Sequence, residues 1–341
     1  NPVWNVCAYD SAYVFRRVTI DACGHSPTYE ELDTFRAAAS DDQERLIAER
    51  LDECLNTPFW LGRDGVLWQL GNPKIRPLHA IKSGANRGDI PLADYDADYA
   101  LFAYTQSDDR DAREVLVGDY YVVFDPDSLT YRRVNSLAEQ PAARDRRAGM
   151  MTTRWFYVIN TMFTPVPRST AAQAYRAYLG LDVGRSEGLI EPEGESLIDY
   201  DDKGVLAAAC ASCHRTLDPL TYPFTRYWGI AGAFTAVYDP NRMAAFDSTV
   251  DGARVNEVPE AGFIFGQPVA DLLEWAEVAA NSEAFAKATV RDYWRIFVGH
   301  DPTPDEQGEF EQLAADFMNQ HEYRVERMLH ALIRTEAYGV P

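Results

Sequence analysis

The residues best suited to chemistry are two cysteines and a histidine in the second half of the chain. Cys210-Ala211-Ser212-Cys213-His214 is a C-x-x-C-H motif, the pattern that attaches c-type haem. Two thiols separated by two residues on a helical turn can each form a thioether with one vinyl group of a porphyrin. The adjacent imidazole then lies under the ring as an iron ligand. The motif therefore predicts one covalent haem c, attached through Cys210 and Cys213 and bound by His214.

Two other interpretations of the motif are a zinc site and a redox-active dithiol. A zinc site needs four ligands, and the sequence has no second Cys/His pair with metal-binding spacing. Only the scattered residues His25, His79 or Cys54 would be left to complete such a site. A thioredoxin-like dithiol is expected in a βαβ setting, whereas the surroundings of the motif have a helical pattern. The sequence thus favours haem over both alternatives.

The segment after the motif is suited to a haem pocket. Leu217, Pro219 and Tyr222 combine a bend with apolar side chains directly after the iron ligand, so we expect them to contact the haem. The further aromatic residues of this segment are Tyr227, Trp228 and Phe234. They would keep water from the porphyrin, although ordinary core packing explains the same composition.

The sixth ligand of the iron decides what the haem does. Methionine in this position favours electron transfer, whereas an open position permits oxygen or peroxide chemistry. We expect Met150 as the ligand, because it lies between a charged run and an aromatic helix. Met151 and Met243 are the next alternatives. Met318 and Met328 lie within or beside apolar helix stripes and are expected in the core.

Other outcomes at the sixth position remain open. His25 and His79 are histidine alternatives, although a surface or loop histidine is the commoner explanation of each. An open site would make the protein a haem-dependent oxidoreductase, with Arg154, Tyr157 or Tyr222 as acid–base or charge-stabilising groups. The sequence has no distal pattern typical of peroxidases, so electron transfer is favoured. A third interpretation is a cell-surface structural or binding module that haem stabilises.

The elements that position these residues are predicted to be mainly α-helical. Apolar residues recur at helical spacing in residues 10–56, in residues 147–180 and from residue 268 onward. Thr28 and Glu31 form a capping box before a helix. A short helix over 205–214 is expected to end in the motif. The fold class is therefore a helical c-type cytochrome-like core with long ordered loops and one small β-hairpin.

Four regions are expected to pack as one compact unit. They are an N-terminal helical module (1–60), a loop-rich connecting region (61–145), a haem-binding region (146–238) and a C-terminal helical module (239–341). Within the connecting region, one β-like run, Val115–Val117 continued by Tyr120–Phe124, precedes a turn at 125–127. This run predicts the hairpin.

The charge of the chain limits its partners. Its 341 residues include 32 Lys+Arg and 53 Asp+Glu, a formal net charge of −21. Nucleic acids and anionic membranes are disfavoured, because both bind basic surfaces. No stretch approaches the roughly 18 apolar residues of a membrane span. We expect a redox partner protein with a basic surface, which the negative charge would steer.

The haem segment resembles that of a family of large cytochrome-like proteins abundant in planctomycetes and myxobacteria. CASCHRTLDPLTYPFTRYWGI (210–230) is similar to the family's C-x-x-C-H, Asp-Pro-Leu and aromatic stretch ending near a glycine. Weaker similarities are RRVTIDACGHSPTYEELDTF (16–35), RAGMMTTRWF (147–156) and the closing LIRTEAY (332–338). The resemblance implies an exported, haem-bearing protein, in the periplasm or at the cell surface, whose activity is poorly defined.

Export agrees with disulfide formation among the remaining cysteines, because oxidising compartments sustain disulfides. The start of the chain lacks a signal-like segment, so we expect any export signal to have been removed. An antiparallel pair of helices would bring Cys23 close to Cys54, which makes this pairing the favoured one and leaves Cys7 free. Pairing of Cys7 with either residue, or three buried thiols, are the alternatives.

Overall fold

The computed structural model describes residues 8–75, 95–138, 140–194, 196–231, 236–246 and 254–341. These residues contain fifteen α-helices and two antiparallel sheets of two strands each. The prediction of a mainly α-helical fold with a small hairpin is therefore confirmed. Among the described residues, no helix is both long and apolar enough to cross a membrane.

The N-terminal module is a set of helices held by local caps and one disulfide. Its helices are α1 (Ser11–Cys23), α2 (Tyr29–Ala37), α3 (Ser40–Leu55) and α4 (Pro58–Leu61). The predicted capping box is present, with the Glu31 amide donating to the Thr28 hydroxyl at 3.2 Å and the Thr28 amide donating to Glu31 at 2.7 Å. Gly24 ends α1 in the left-handed conformation at φ 79°, which glycine adopts without strain.

The disulfide joins the C-terminal ends of two packed helices. Cys23 is the last residue of α1, and its Cα lies 4.6 Å from the Cα of Cys54 near the end of α3. The favoured pairing of these two cysteines is confirmed. Cys7 lies outside the described residues.

The region predicted to be loop-rich contains three further helices, so that prediction is wrong in its detail. They are α5 (Val66–Ile75), α6 (Asp96–Thr105) and α7 (Glu114–Val117). Every residue of α6 from Asp98 to Thr105 is buried. A helix that is buried all round has no polar face, and its sequence therefore lacks the amphipathic period by which helices are identified.

The predicted hairpin is confirmed, but the first part of the β-like run lies outside it. Its strands are β1 (Tyr121–Asp125) and β2 (Thr130–Val134), paired with Tyr121 opposite Val134. That first part, Val115–Val117, lies instead in α7, where Val115 and Leu116 are buried. A short apolar run without alternation fits a buried helical turn as well as a strand.

The region predicted to bind haem (146–238) contains three helices among its described residues. The helices are α8 (Arg154–Thr161), α9 (Arg168–Ala174), which continues as a π-helical turn, and α10 (Ala208–Thr221). The predicted helix over 205–214 is wrong in its placement: α10 begins just before the motif and continues two turns beyond it. The strongest packing partners of α10 are α9, the strand β3 and the 3-10 turn Tyr222–Phe224.

The C-terminal module has the helices that the apolar stripes predict. They are α11 (Leu272–Ala280), α12 (Glu283–Phe297), α13 (Gln307–Asn319) and α14 (Val325–Leu332). A short helix that no stripe predicts, α15 (Glu336–Gly339), follows them. A second small hairpin, β3 (Gly262–Ile264) and β4 (Gln267–Val269), precedes them.

Two apolar clusters fill the interior. The main cluster takes residues from every region, from Val14 in α1 to Tyr338 in α15. A smaller second cluster lies where α10 ends. It consists of Val166, Tyr200, Tyr222, Met243, Val255 and Val258.

Candidate haem site

The two cysteines of the motif lie on the exposed start of α10. Cys210 and Cys213 are three residues apart, so they project from the same side of the helix on successive turns. Both are free and exposed. Paired exposed thiols of this kind are accessible to a flat ligand laid against the helix.

The local sequence explains why a helix starts here. Asp199 accepts the backbone amides of Lys203, Gly204 and Val205, at 2.9, 2.7 and 3.2 Å, which closes the turn that leads into the helix. A run of alanines follows, the residue with the highest helix propensity. The first turns therefore form without a side-chain cap on Ala207.

His214 is held from within its own helix. Its Nδ1 lies 2.8 Å from Oδ1 of Asp218, one turn further along α10. An ionised carboxylate can only accept a hydrogen bond, so Nδ1 is the donor and Nε2 keeps its lone pair. The His214 side chain retains 22% of its exposure, whereas Asp218 retains 1%. The arrangement leaves Nε2 as the imidazole nitrogen available to a metal.

Asp218 belongs to a buried cluster of charges. Arg168, at the start of α9, donates from Nε to Oδ1 of Asp218 at 2.7 Å and from Nη2 to Oδ2 at 2.8 Å. The same guanidinium donates to Asp201 at 2.7 and 3.1 Å. Burial by itself would lower the pKa of Arg168, but the hydrogen bonds to both carboxylates outweigh it and raise the pKa above its usual range. The guanidinium therefore stays charged between the two acids.

The expected pocket residues take different positions. Leu217 is half-buried and packs against the main cluster, and Pro219 is buried with its carbonyl against Gly262 of β3. Tyr222 is buried in the second cluster, where its ring meets Tyr200 edge-on at 5.9 Å. All three therefore lie on the buried side of the haem segment, and their contact with haem stays a prediction.

The aromatic residues further along also form packed pairs. Tyr227 stacks on Tyr157 with ring centroids 5.0 Å apart, and Trp228 stacks on Phe246 at 5.5 Å. Phe234 lies outside the described residues. The described aromatic residues of this stretch thus pack against α8 and the 3-10 turn Arg242–Phe246.

The candidate methionine ligands occupy different clusters. Met150 and Met151 are fully buried in the main cluster, on the 3-10 turn Gly149–Thr152, which packs mainly against α6, α7 and α8. Met243 is buried in the second cluster together with Tyr222 of the haem segment. Met150 as the ligand is untested, and Met243, which packs with Tyr222 of the predicted haem segment, replaces it as the candidate that we favour.

The other candidate ligands and acid–base groups differ in their exposure. His25 is exposed, and its Nδ1 lies 3.2 Å from the carbonyl of Ser26. His79 lies outside the described residues. Tyr157 is fully buried, and burial raises the pKa of its hydroxyl well above the usual range. Arg154 is half-buried on the same helix, α8.

For the zinc interpretation, Cys54 is already bonded in the disulfide. Within the described ranges, no group of three or more His, Cys, Asp and Glu side chains is arranged to hold a metal ion. A haem, by contrast, takes its attachment from the thiols and its axial bond from one imidazole.

Three residues behind His214 were not predicted from the sequence: Asp218 holds the imidazole, and Arg168 and Asp201 complete the charged cluster. Asp218 carried a signal, because an acid four residues after a histidine on one helix lies beside it. Arg168 and Asp201 carried none, since they come from other segments of the chain.

Comparison of the chain with protein-family models, with curated proteins and with solved structures finds no match.

Proposed function

We propose that this chain is an exported monohaem c-type cytochrome that transfers electrons. One observation carries the proposal. The C-x-x-C-H residues place two exposed thiols on one side of a helix, next to a histidine whose Nδ1 is held and whose Nε2 is available. This donor set fits haem c.

In this proposal each residue has a separate task. Cys210 and Cys213 attach the haem, and His214 supplies the axial nitrogen. The haem, when bound, supplies a one-electron couple. The buried half of α10 packs against α9 and β3, which would hold the attachment helix in place when haem is bound.

The compartment and the partner follow from the cysteines and the charge. A Cys23–Cys54 disulfide agrees with an oxidising compartment, so we place the protein in the periplasm or at the cell surface. A net charge of −21 favours a partner with a basic surface. If the rate of electron transfer does not fall as salt is added, the idea that charge steers the partner is wrong.

Production in a host that matures c-type cytochromes tests the proposal. We expect the purified chain to gain the mass of one haem and to keep it after denaturation. The double variant Cys210→Ala/Cys213→Ala should gain nothing. Ser212→Ala, which changes an exposed residue between the two cysteines, is the matched control and should gain one haem. A wild-type chain without added mass overturns the proposal.

The sixth position is tested on the same material. Met-ligated ferric haem has a long-wavelength charge-transfer band that other ligands do not give. We expect Met243→Leu to lose this band and Met150→Leu to keep it, because Met243 shares a cluster with Tyr222. The reverse result would assign Met150. High-spin bands in the wild type would indicate an open site and favour the haem-dependent oxidoreductase.

A further inference from the structure

We propose that Asp218 is a positioning residue that sets the reduction potential of the iron through His214. The inference rests on the proposed function, because it concerns the same histidine. It adds a specific residue and a direction: Asp218 stabilises the oxidised state.

The first step is the geometry of the pair. Asp218 and His214 are one turn apart on α10, and the Nδ1–Oδ1 distance is 2.8 Å. Both side chains leave the same helix, so their separation does not depend on loop conformation. Because Nδ1 is occupied, rotation of the imidazole would break a hydrogen bond to a buried carboxylate. The ring is thus fixed with Nε2 directed away from Asp218.

The second step is the fixed orientation of the carboxylate. Arg168 donates to both oxygens of Asp218, and Asp201 holds the other side of the guanidinium. Both acids retain 1% of their side-chain exposure. A carboxylate held at both oxygens cannot turn away from His214.

The third step is the charge that acts on the imidazole of His214. One guanidinium shared between two ionised carboxylates leaves one net negative charge beside Nδ1. A carboxylate acceptor raises the basicity of a metal-bound histidine. A more basic imidazole stabilises ferric over ferrous iron, so the cluster lowers the midpoint potential relative to a neutral acceptor.

Redox titration of attached haem in matched variants tests this direction. Asp218→Asn keeps the shape and an acceptor oxygen but removes the charge. We expect at least a tenfold shift toward the ferrous state, a rise of about 59 mV for one electron. Asp218→Glu should restore most of the lower potential. Asp202→Asn removes the same charge from an exposed neighbour of Asp201 and should leave the potential near that of the wild type.

A second measurement does not need haem or a variant. Nitrogen NMR of the haem-free wild-type chain reports the tautomer of neutral His214. We expect the form protonated at Nδ1. The form protonated at Nε2 overturns the positioning of the ring, and equal potentials for Asp218→Asn and Asp202→Asn overturn the effect on iron. Should the wild type carry no haem, the proposed function fails, whereas the tautomer still decides whether Asp218 positions His214.

Discussion

Two buried acidic sites in this molecule are stabilised in opposite ways. Asp218 and Asp201 surround the guanidinium of Arg168 at distances of 2.7–3.1 Å. Asp98 on α6 is fully buried, and its hydrogen bonds come from neutral groups among the described residues, including the amide of Gln140 at 3.0 Å. The first site keeps its charge by pairing. At Asp98, burial makes the ionised form of the carboxylate unfavourable.

The difference is visible in the protonation of Asp98. Burial raises its pKa to about 7, and hydrogen bonding such as that from Gln140 offsets only part of this effect. The pKa of Arg168 is also raised, because its two partners outweigh burial, but for a cation a higher pKa favours the charged form. Whether a buried carboxylate favours its charged form can therefore be judged from its hydrogen-bond partners. The paired site, around Arg168, holds His214, whereas the neutral site, around Asp98, lies within the structural core.

The largest expected effect comes from removing the cation of the paired site. Arg168→Met leaves two buried carboxylates without their common partner, so we expect a loss of about 5 kcal/mol in the free energy of unfolding. Denaturant unfolding measures it. Arg144→Met is the matched control, because Arg144 pairs with Asp119 on the surface, with 67% of its side chain exposed. Equal losses for the two variants would show that the buried cluster contributes no more than a surface pair.

The second effect concerns Asp98 and depends on pH. Its folded-state pKa of about 7 is above the unfolded value of about 3.9. The folded protein therefore holds an extra proton between these values. The contribution of Asp98 to the free energy of unfolding is complete below about pH 4 and is lost as the pH rises through 7. The total loss is about 4 kcal/mol.

The variant Asp98→Asn removes that dependence. The difference in unfolding free energy between variant and wild type should change by about 4 kcal/mol in favour of the variant between pH 4 and pH 8. Urea titrations at several pH values measure it, and other titrating groups cancel in the difference. A constant difference over this range would mean that Asp98 ionises normally, and the contrast with the Arg168 site would then disappear.

The contrast also shows what the sequence could predict. Features made within a few residues were accessible: the Thr28–Glu31 capping box, the motif on a helix and the stripes of α11 to α14. The Arg168 cluster was not, because its members come from α9, a loop and α10, and no local pattern links them. α6 was missed for a related reason, since a helix without a polar face carries no period.

The smallest of these effects comes from a neutral partner of Asp98. Gln140 donates to Asp98 and accepts the backbone amide of Arg154 at 2.8 Å. Gln140→Leu removes both hydrogen bonds. We expect a loss of about 1–2 kcal/mol near pH 4, where Asp98 is protonated. The loss should be larger at pH 8, because the donor stabilises the ionised carboxylate, so its removal raises the pKa of Asp98 further.

The measurement is the pH dependence of unfolding for Gln140→Leu alone and combined with Asp98→Asn. In the double variant the increase of the loss between pH 4 and pH 8 should vanish, because no carboxylate remains to titrate. If the increase persists there, Gln140 acts through its bond to Arg154 and not through Asp98. Gln140 would then stabilise the backbone at Arg154 independently of Asp98. The two acidic sites would no longer be comparable.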